Sequence, residues 1–168
     1  LGADFDTLPP AVRSLHDGRA ERVAHGRCDV ERGTSLLARF LAALTALPAA
    51  GRDVPVQVVI RSEGGGDTWT RTFRGRRMHS TLRARGGRLE ERLGPATFFF
   101  RLRAEGGSIV WTVDGVRAVG IPLPAAWFRG VTSRESADGP RYRFDVRAEL
   151  PVAGLLVHYR GELDVEGA

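Results

Sequence analysis

The sequence predicts an α+β fold: a strongly curved or barrel-like antiparallel sheet of about eight or nine strands, wrapped around one apolar helix, with a short N-terminal helix. Three observations carry this expectation. From Val54 onward, short runs alternate apolar and polar residues, the two-residue period of strands with one buried face. Gly-rich pairs and Gly-Pro or Gly-Asp steps divide the runs at hairpin spacing. One helix-period segment ending near Leu47 is apolar around most of its circumference. A sheet this extended must curl to bury one face, and the apolar helix would fill its concavity.

Taken in order, residues 1–20 read as a short helix with Thr7 as N-cap, Pro9 and Pro10 in its first turn, and Gly18 as its stop. Leu8, Val12 and Leu15 fall at helical spacing. His16, at the helix end, reads as a side chain favoured there by the helix dipole, with no local partner. Residues 21–30 form a first strand with weak alternation. Gly33-Thr34-Ser35 opens the apolar helix, carrying Leu36, Leu37, Phe40, Leu41, Leu44 and Leu47 with Arg39 its only charge, and Pro48 closes it.

The strands follow. Val54, Val56, Val58 and Ile60 alternate up to the Gly64-Gly65-Gly66-Asp67 turn. Thr68 to Arg74 returns, and Met78 to Ala84 comes next. Gly86-Gly87 leads into Arg88–Leu93, and Gly94-Pro95 into a strand with Phe98, Phe100, Leu102 and Ala104 on one face. Ile109, Trp111 and Val113 lie beyond Gly106-Gly107. Two prolines bar Gly120–Pro124 from being a central strand, so it reads as a rigid crossover followed by one helical turn at Ala125–Phe128. Val131–Ala137, Tyr142–Leu150 and Leu155–Leu163 complete the sheet. The chain is a single domain, 1–168, without repeats or low-complexity segments.

Composition narrows the function classes. A 168-residue chain with 42% hydrophobic and 27% charged residues can bury a substantial core. The net charge of +5 raises a nucleic-acid reading, but all 25 basic residues are arginine, and lysine and asparagine are absent. That is the mark of a compositional bias spread over the whole surface. Arg71, Arg74, Arg76, Arg77, Arg83, Arg85 and Arg88 come nearest to a patch, without the stacking aromatics of a nucleic-acid surface, so such a partner is not expected. No apolar run approaches a membrane span, so a membrane partner is not expected either. No signal peptide is visible. Cys28 is the only cysteine, which suits a reducing compartment, most simply the cytoplasm.

Three strands break the pattern by placing a charge on the apolar face. Arg71 lies between Trp69 and Phe73, Glu91 between Leu89 and Leu93, and Glu135 between Ser133 and Ala137. Buried charges need partners. The expectation is an internal cluster of Arg71, Glu91 and Glu135, bridged by the hydroxyls of Ser80 and Tyr159. It reads either as a structural salt bridge or as the polar anchor of an apolar pocket. Catalytic motifs are missing: no G-x-S-x-G, H-E-x-x-H, Walker loop or G-x-G-x-x-G. His79 and His158 fall opposite the apolar faces of their strands, and no cofactor or metal set is indicated.

Further residues fit a known pattern. Leu15-His16-Asp17, Trp69-x-Arg71-x-Phe73, Glu91-x-x-Gly94-Pro95, Gly120-Ile121-Pro122-Leu123-Pro124, Phe144-Asp145-Val146, Leu150-Pro151-x-x-Gly154 and Tyr159-x-Gly161-x-Leu163 together resemble a bacterial domain of unknown function, family 4166. The resemblance runs from about Gly2 to Leu163. Members of that family have no established activity. They occur alone or C-terminal to saccharopine-dehydrogenase-like reductase domains, which implies a role beside a reductase, in cis or in trans. The start at Leu1 fits a domain cut from a longer protein.

The function expected on these grounds is non-enzymatic binding of an apolar or amphipathic small molecule, accessory to a reductase. The site would comprise Arg71, Glu91, Glu135, Trp69, Phe73, Ser80 and Tyr159. The alternatives are a protein-docking module without a pocket, and a small hydrolase or isomerase using Glu91 and Glu135.

Overall fold

A computed structural model describes residues 1–166. Eleven antiparallel strands run through it: β1 (Glu21–Arg32), β2 (Gly51–Glu63), β3 (Gly66–Phe73), β4 (Arg76–Arg85), β5 (Arg88–Leu93), β6 (Ala96–Glu105), β7 (Ser108–Ala118), β8 (Ile121–Leu123), β9 (Gly130–Asp138), β10 (Arg141–Leu150) and β11 (Gly154–Val165). Each strand pairs with the next, except that β7 pairs with both β8 and β9. The last strand returns to pair with the first, Cys28 opposite Gly161 and Val30 opposite Tyr159. The sheet is therefore a closed barrel of ten strands, with β8 a three-residue addition on the end of β7. Eight or nine strands were expected. Each glycine-bounded run forms its own strand, and β1 closes the ring rather than standing at an edge.

Closure brings β1 and β11 together at two glycines. A Cβ on Gly26 would fall on the carbonyl of Glu162, and one on Gly161 on that of Arg27. Backbones this close admit no side chain, which is what allows the ring to bend sharply here. Pro122 is accommodated because β8 has only one neighbour.

The two helices have different places from those expected. The barrel does not wrap around the apolar helix. α1 (Pro10–Leu15) closes the base, with Leu8, Ala11, Val12 and Leu15 buried against β1, β9, β10 and β11. Thr7 does not cap it; Thr7 ends a preceding 3-10 turn, Gly2–Thr7, and its hydroxyl bonds to the Asp4 carbonyl. α2 (Leu36–Leu44) lies at the opposite end. Its Ser35 cap accepts from the Ala38 amide and donates to the Ala153 carbonyl, tying the helix to the turn before β11. Only Ala38 and Ala42 are buried, while Leu36, Leu37, Phe40 and Leu44 are exposed. Apolarity around the circumference identified a helix but not its surroundings: Ala38, Ala42 and Leu41 pack on the barrel, and Leu36 and Phe40 face outward.

Candidate functional site

With no helix inside it, the barrel keeps a cavity of about 700 Å³. Its walls follow from strand alternation. Val56 and Val58 of β2, Trp69 and Phe73 of β3, Phe98 and Phe100 of β6, and Phe144 and Val146 of β10 all point inward. The cavity opens where α2 lies, because Leu37, Leu44, Val119, Trp127 and Val152 both line it and are exposed.

Charged side chains interrupt this apolar lining. Arg71 lies opposite Val58 and Met78, and Glu91 opposite Leu82 and Phe98. Arg71 Nη1 donates to Ser80 Oγ at 3.0 Å, and both Nη atoms approach Glu91 Oε1 at 3.4 Å. The guanidinium stands 4.7 Å from the Trp69 ring centroid, a cation–π contact. Only one carboxylate oxygen is engaged, and at long range. These contacts use three of the five guanidinium donors and leave two without a protein acceptor.

Glu135 does not join this group as the sequence led us to expect. His16, which read as unpartnered, reaches down from the end of α1, and its Nε2 meets Glu135 Oε2 at 2.6 Å. The Tyr142 hydroxyl also feels the Glu135 carboxylate, which helps to hold it protonated. A partner 119 residues away along the chain is invisible to local reasoning. The pair locks the base helix to β9, beneath the cavity. A second hollow lies below, lined by His16, Phe5 and Leu102 and sharing Trp69 and Trp111 with the first. The His16 and Trp69 rings lie 5.7 Å apart, and Trp69 meets Trp111 edge-on at 6.4 Å. Both indole Nε1 atoms are buried without a hydrogen-bond partner.

Six of the seven expected residues thus line the cavity, while Ser80 sits behind Arg71 as its hydrogen-bond acceptor. Tyr159 lies on the wall, packed edge-on to Phe73 at 5.6 Å; burial pushes its hydroxyl up to about 12. Tyr142, pushed well above its ordinary value first by burial and then by Glu135, was not singled out from the sequence. Nor was Arg22, which alternation places inward on β1 and which donates to Ser62 Oγ at 2.6 Å. Both were legible as polar groups on an apolar face. Burial likewise raises the Cys28 thiol to about 11, consistent with a structural role.

The model of the family described as "Domain of unknown function (DUF4166)" matches residues 8–163. The chain belongs to that family. The matched span runs from the start of α1 almost to the end of β11, so the base helix, the barrel and the mouth all lie within the DUF4166 domain. No curated protein matches the chain. Among solved structures, it is similar to Rv2717c from M. tuberculosis, with 14% identity, a TM-score of 0.43, and coverage of 94% of this chain and 98% of that one.

Proposed function

We propose that the barrel binds an amphipathic small molecule, with its apolar body in the cavity and an acceptor group, a carboxylate or carbonyl oxygen, against Arg71. The observation that carries this is an apolar cavity of about 700 Å³ with an under-committed guanidinium on its wall. That volume lies within the range of small-ligand pockets, roughly 300–1,000 Å³. Trp69, Phe73, Phe98 and Phe100 all line the space, which favours a ligand site over a docking module with a filled core. Glu91 and Glu135 each have a cationic or imidazole partner, which favours binding over acid–base chemistry at either carboxylate. A place beside a reductase is what the family resemblance implies. The single buried thiol fits a reducing compartment, and the cytoplasm is the simplest one.

The test is a titration of the purified protein with a fatty acid and with the alcohol and amine of the same chain length, followed by calorimetry. The acid should bind in preference to the amine. Arg71→Met should weaken the acid by about 10-fold or more, the worth of a charge-assisted hydrogen bond, while leaving the alcohol nearly unchanged. A folded Val58→Phe variant, which narrows the cavity beside Arg71, should weaken both. Equal affinities for all three, unmoved by Val58→Phe, would overturn the reading.

A further inference from the structure

The open end of the barrel is built from five segments: 33–50 with α2, the 74–75 turn with the first two residues of β4, the 94–95 turn, 119–129 and 151–153. Together they contain no aspartate or glutamate. They do carry Arg39, Arg74, Arg76, Arg77 and Arg129, with Arg52 beside them, all exposed and none within ion-pair distance of a carboxylate among the described residues. Of the acids at the edge of this end, Asp53 is held by Arg27 and Glu149 by Arg147. On the wall, acids and arginines are mixed: Arg61–Glu21, Arg88–Asp114, Arg143–Asp138 and Arg147–Glu149 pair, while Arg83, Arg85, Arg92 and Arg103 are exposed without a carboxylate partner among the described residues. What sets the mouth apart is its lack of acids. The base differs again, with Asp4, Asp6, Asp17, Glu63 and Glu105 on its segments.

Between these arginines stand large apolar side chains in water. Leu36 is 81% exposed, Phe40 60%, Trp127 52% and Val152 88%. They come from three segments around the opening, Leu36 and Phe40 one turn apart on α2. Scattered apolar residues need no explanation, but a ring of them interleaved with unpaired cations does.

We propose that this end docks on an anionic phospholipid surface. Phe40, Leu36, Trp127 and Val152 enter the headgroup region, and the surrounding arginines meet lipid phosphates. α2 then acts as an interfacial helix, with Phe40 and its neighbours toward the lipid and Ala38 and Ala42 against the barrel. An indole at the rim suits the membrane interface. A fluid surface accommodates apolar anchors set on separate segments, whereas a protein partner would have to match each of them and would cover the opening. The apolar rim continues into the cavity, so a molecule dissolved in the bilayer could enter without crossing water. Sequence alone led to the opposite expectation, since no helix is long and apolar enough to cross a membrane. Lying on a surface requires no such helix.

Docking does not depend on what the cavity holds, and the experiment separates the two. The full chain is sedimented with vesicles of phosphatidylcholine, with and without phosphatidylglycerol. It should partition only onto the anionic vesicles and be released by salt. Arg74→Ser, Arg76→Ser and Arg77→Ser combined should lower the partition coefficient about 100-fold, at roughly fivefold per arginine near a charged surface. Leu36→Ser with Phe40→Ser should lower it by at least about 10-fold without reducing thermal stability, because both side chains are already exposed. Val58→Phe, which narrows the cavity, should leave partitioning unchanged. Three outcomes would overturn the proposal: no partitioning onto anionic vesicles, partitioning indifferent to the rim substitutions, or concentration-dependent self-association that the same substitutions abolish.

Discussion

At the scale of single residues, the two inward carboxylates are not equivalent. Glu135 is almost fully buried and meets His16 at 2.6 Å, whereas Glu91 meets Arg71 only at 3.4 Å beside an open cavity. Removing one partner from a well-made buried pair costs roughly 3–5 kcal/mol. Glu135→Ala should fall near the lower end of that range, because His16 retains some exposure. Glu91→Ala should cost about 1 kcal/mol, since cavity water can solvate the freed guanidinium. Urea unfolding of both variants checks the order, and a His16→Ala, Glu135→Ala double-mutant cycle isolates the coupling. Alternation was enough to place Arg71, Glu91 and Glu135 on the inner face. It could not choose their partners, because partner choice depends on how the ring closes and on where α1 comes to rest.

At the scale of elements, the hairpins were legible because each carries its own turn chemistry, as at Gly64-Gly65 and Gly106-Gly107, all with positive φ. Local chemistry does not encode ring closure. The signal for it lies in Gly26 and Gly161, which look unremarkable in sequence and hold β1 against β11. Gly161→Ala would drive a methyl group onto the Arg27 carbonyl and the Cys28 side chain. Overpacking typically costs about 1–3 kcal/mol, and a backbone obstacle belongs at the upper end. Near-UV circular dichroism and chemical unfolding should show a destabilised barrel with a looser aromatic environment. Substitution at Gly75, where a Cβ meets nothing, should leave that environment intact despite its positive φ. The placement of α2 was misread for a related reason: a nine-residue apolar helix looks the same in sequence whether it fills a barrel or rims one.

At the scale of the whole molecule, the chain has an unusually simple alkaline titration. It contains no lysine, one cysteine and two tyrosines. Burial raises Cys28 from 9.0 to about 11 and Tyr159 from 10.0 to about 12, and holds Tyr142 well above its ordinary value. Above pH 9 the unfolded chain therefore releases protons that the fold retains, and stability falls as pH rises. The contribution of these groups is complete below pH 9 and declines progressively toward pH 12. Melting temperatures across that window should fall, and Tyr159→Phe should flatten the decline. A melting temperature independent of pH there would show that the hydroxyls are not buried.

The ring closure noted above also fixes where the ends of the chain emerge. β1 begins and β11 finishes at the base: Leu1 lies beside the Gly64–Gly66 turn, and the Glu166 amide bonds to the Val23 carbonyl. A fluorescent protein or an affinity handle joined to either end would hang below the barrel, on the side with the acidic segments. The opposite face would stay free for a surface or a ligand, so the barrel could be tethered from beneath and still be read from above.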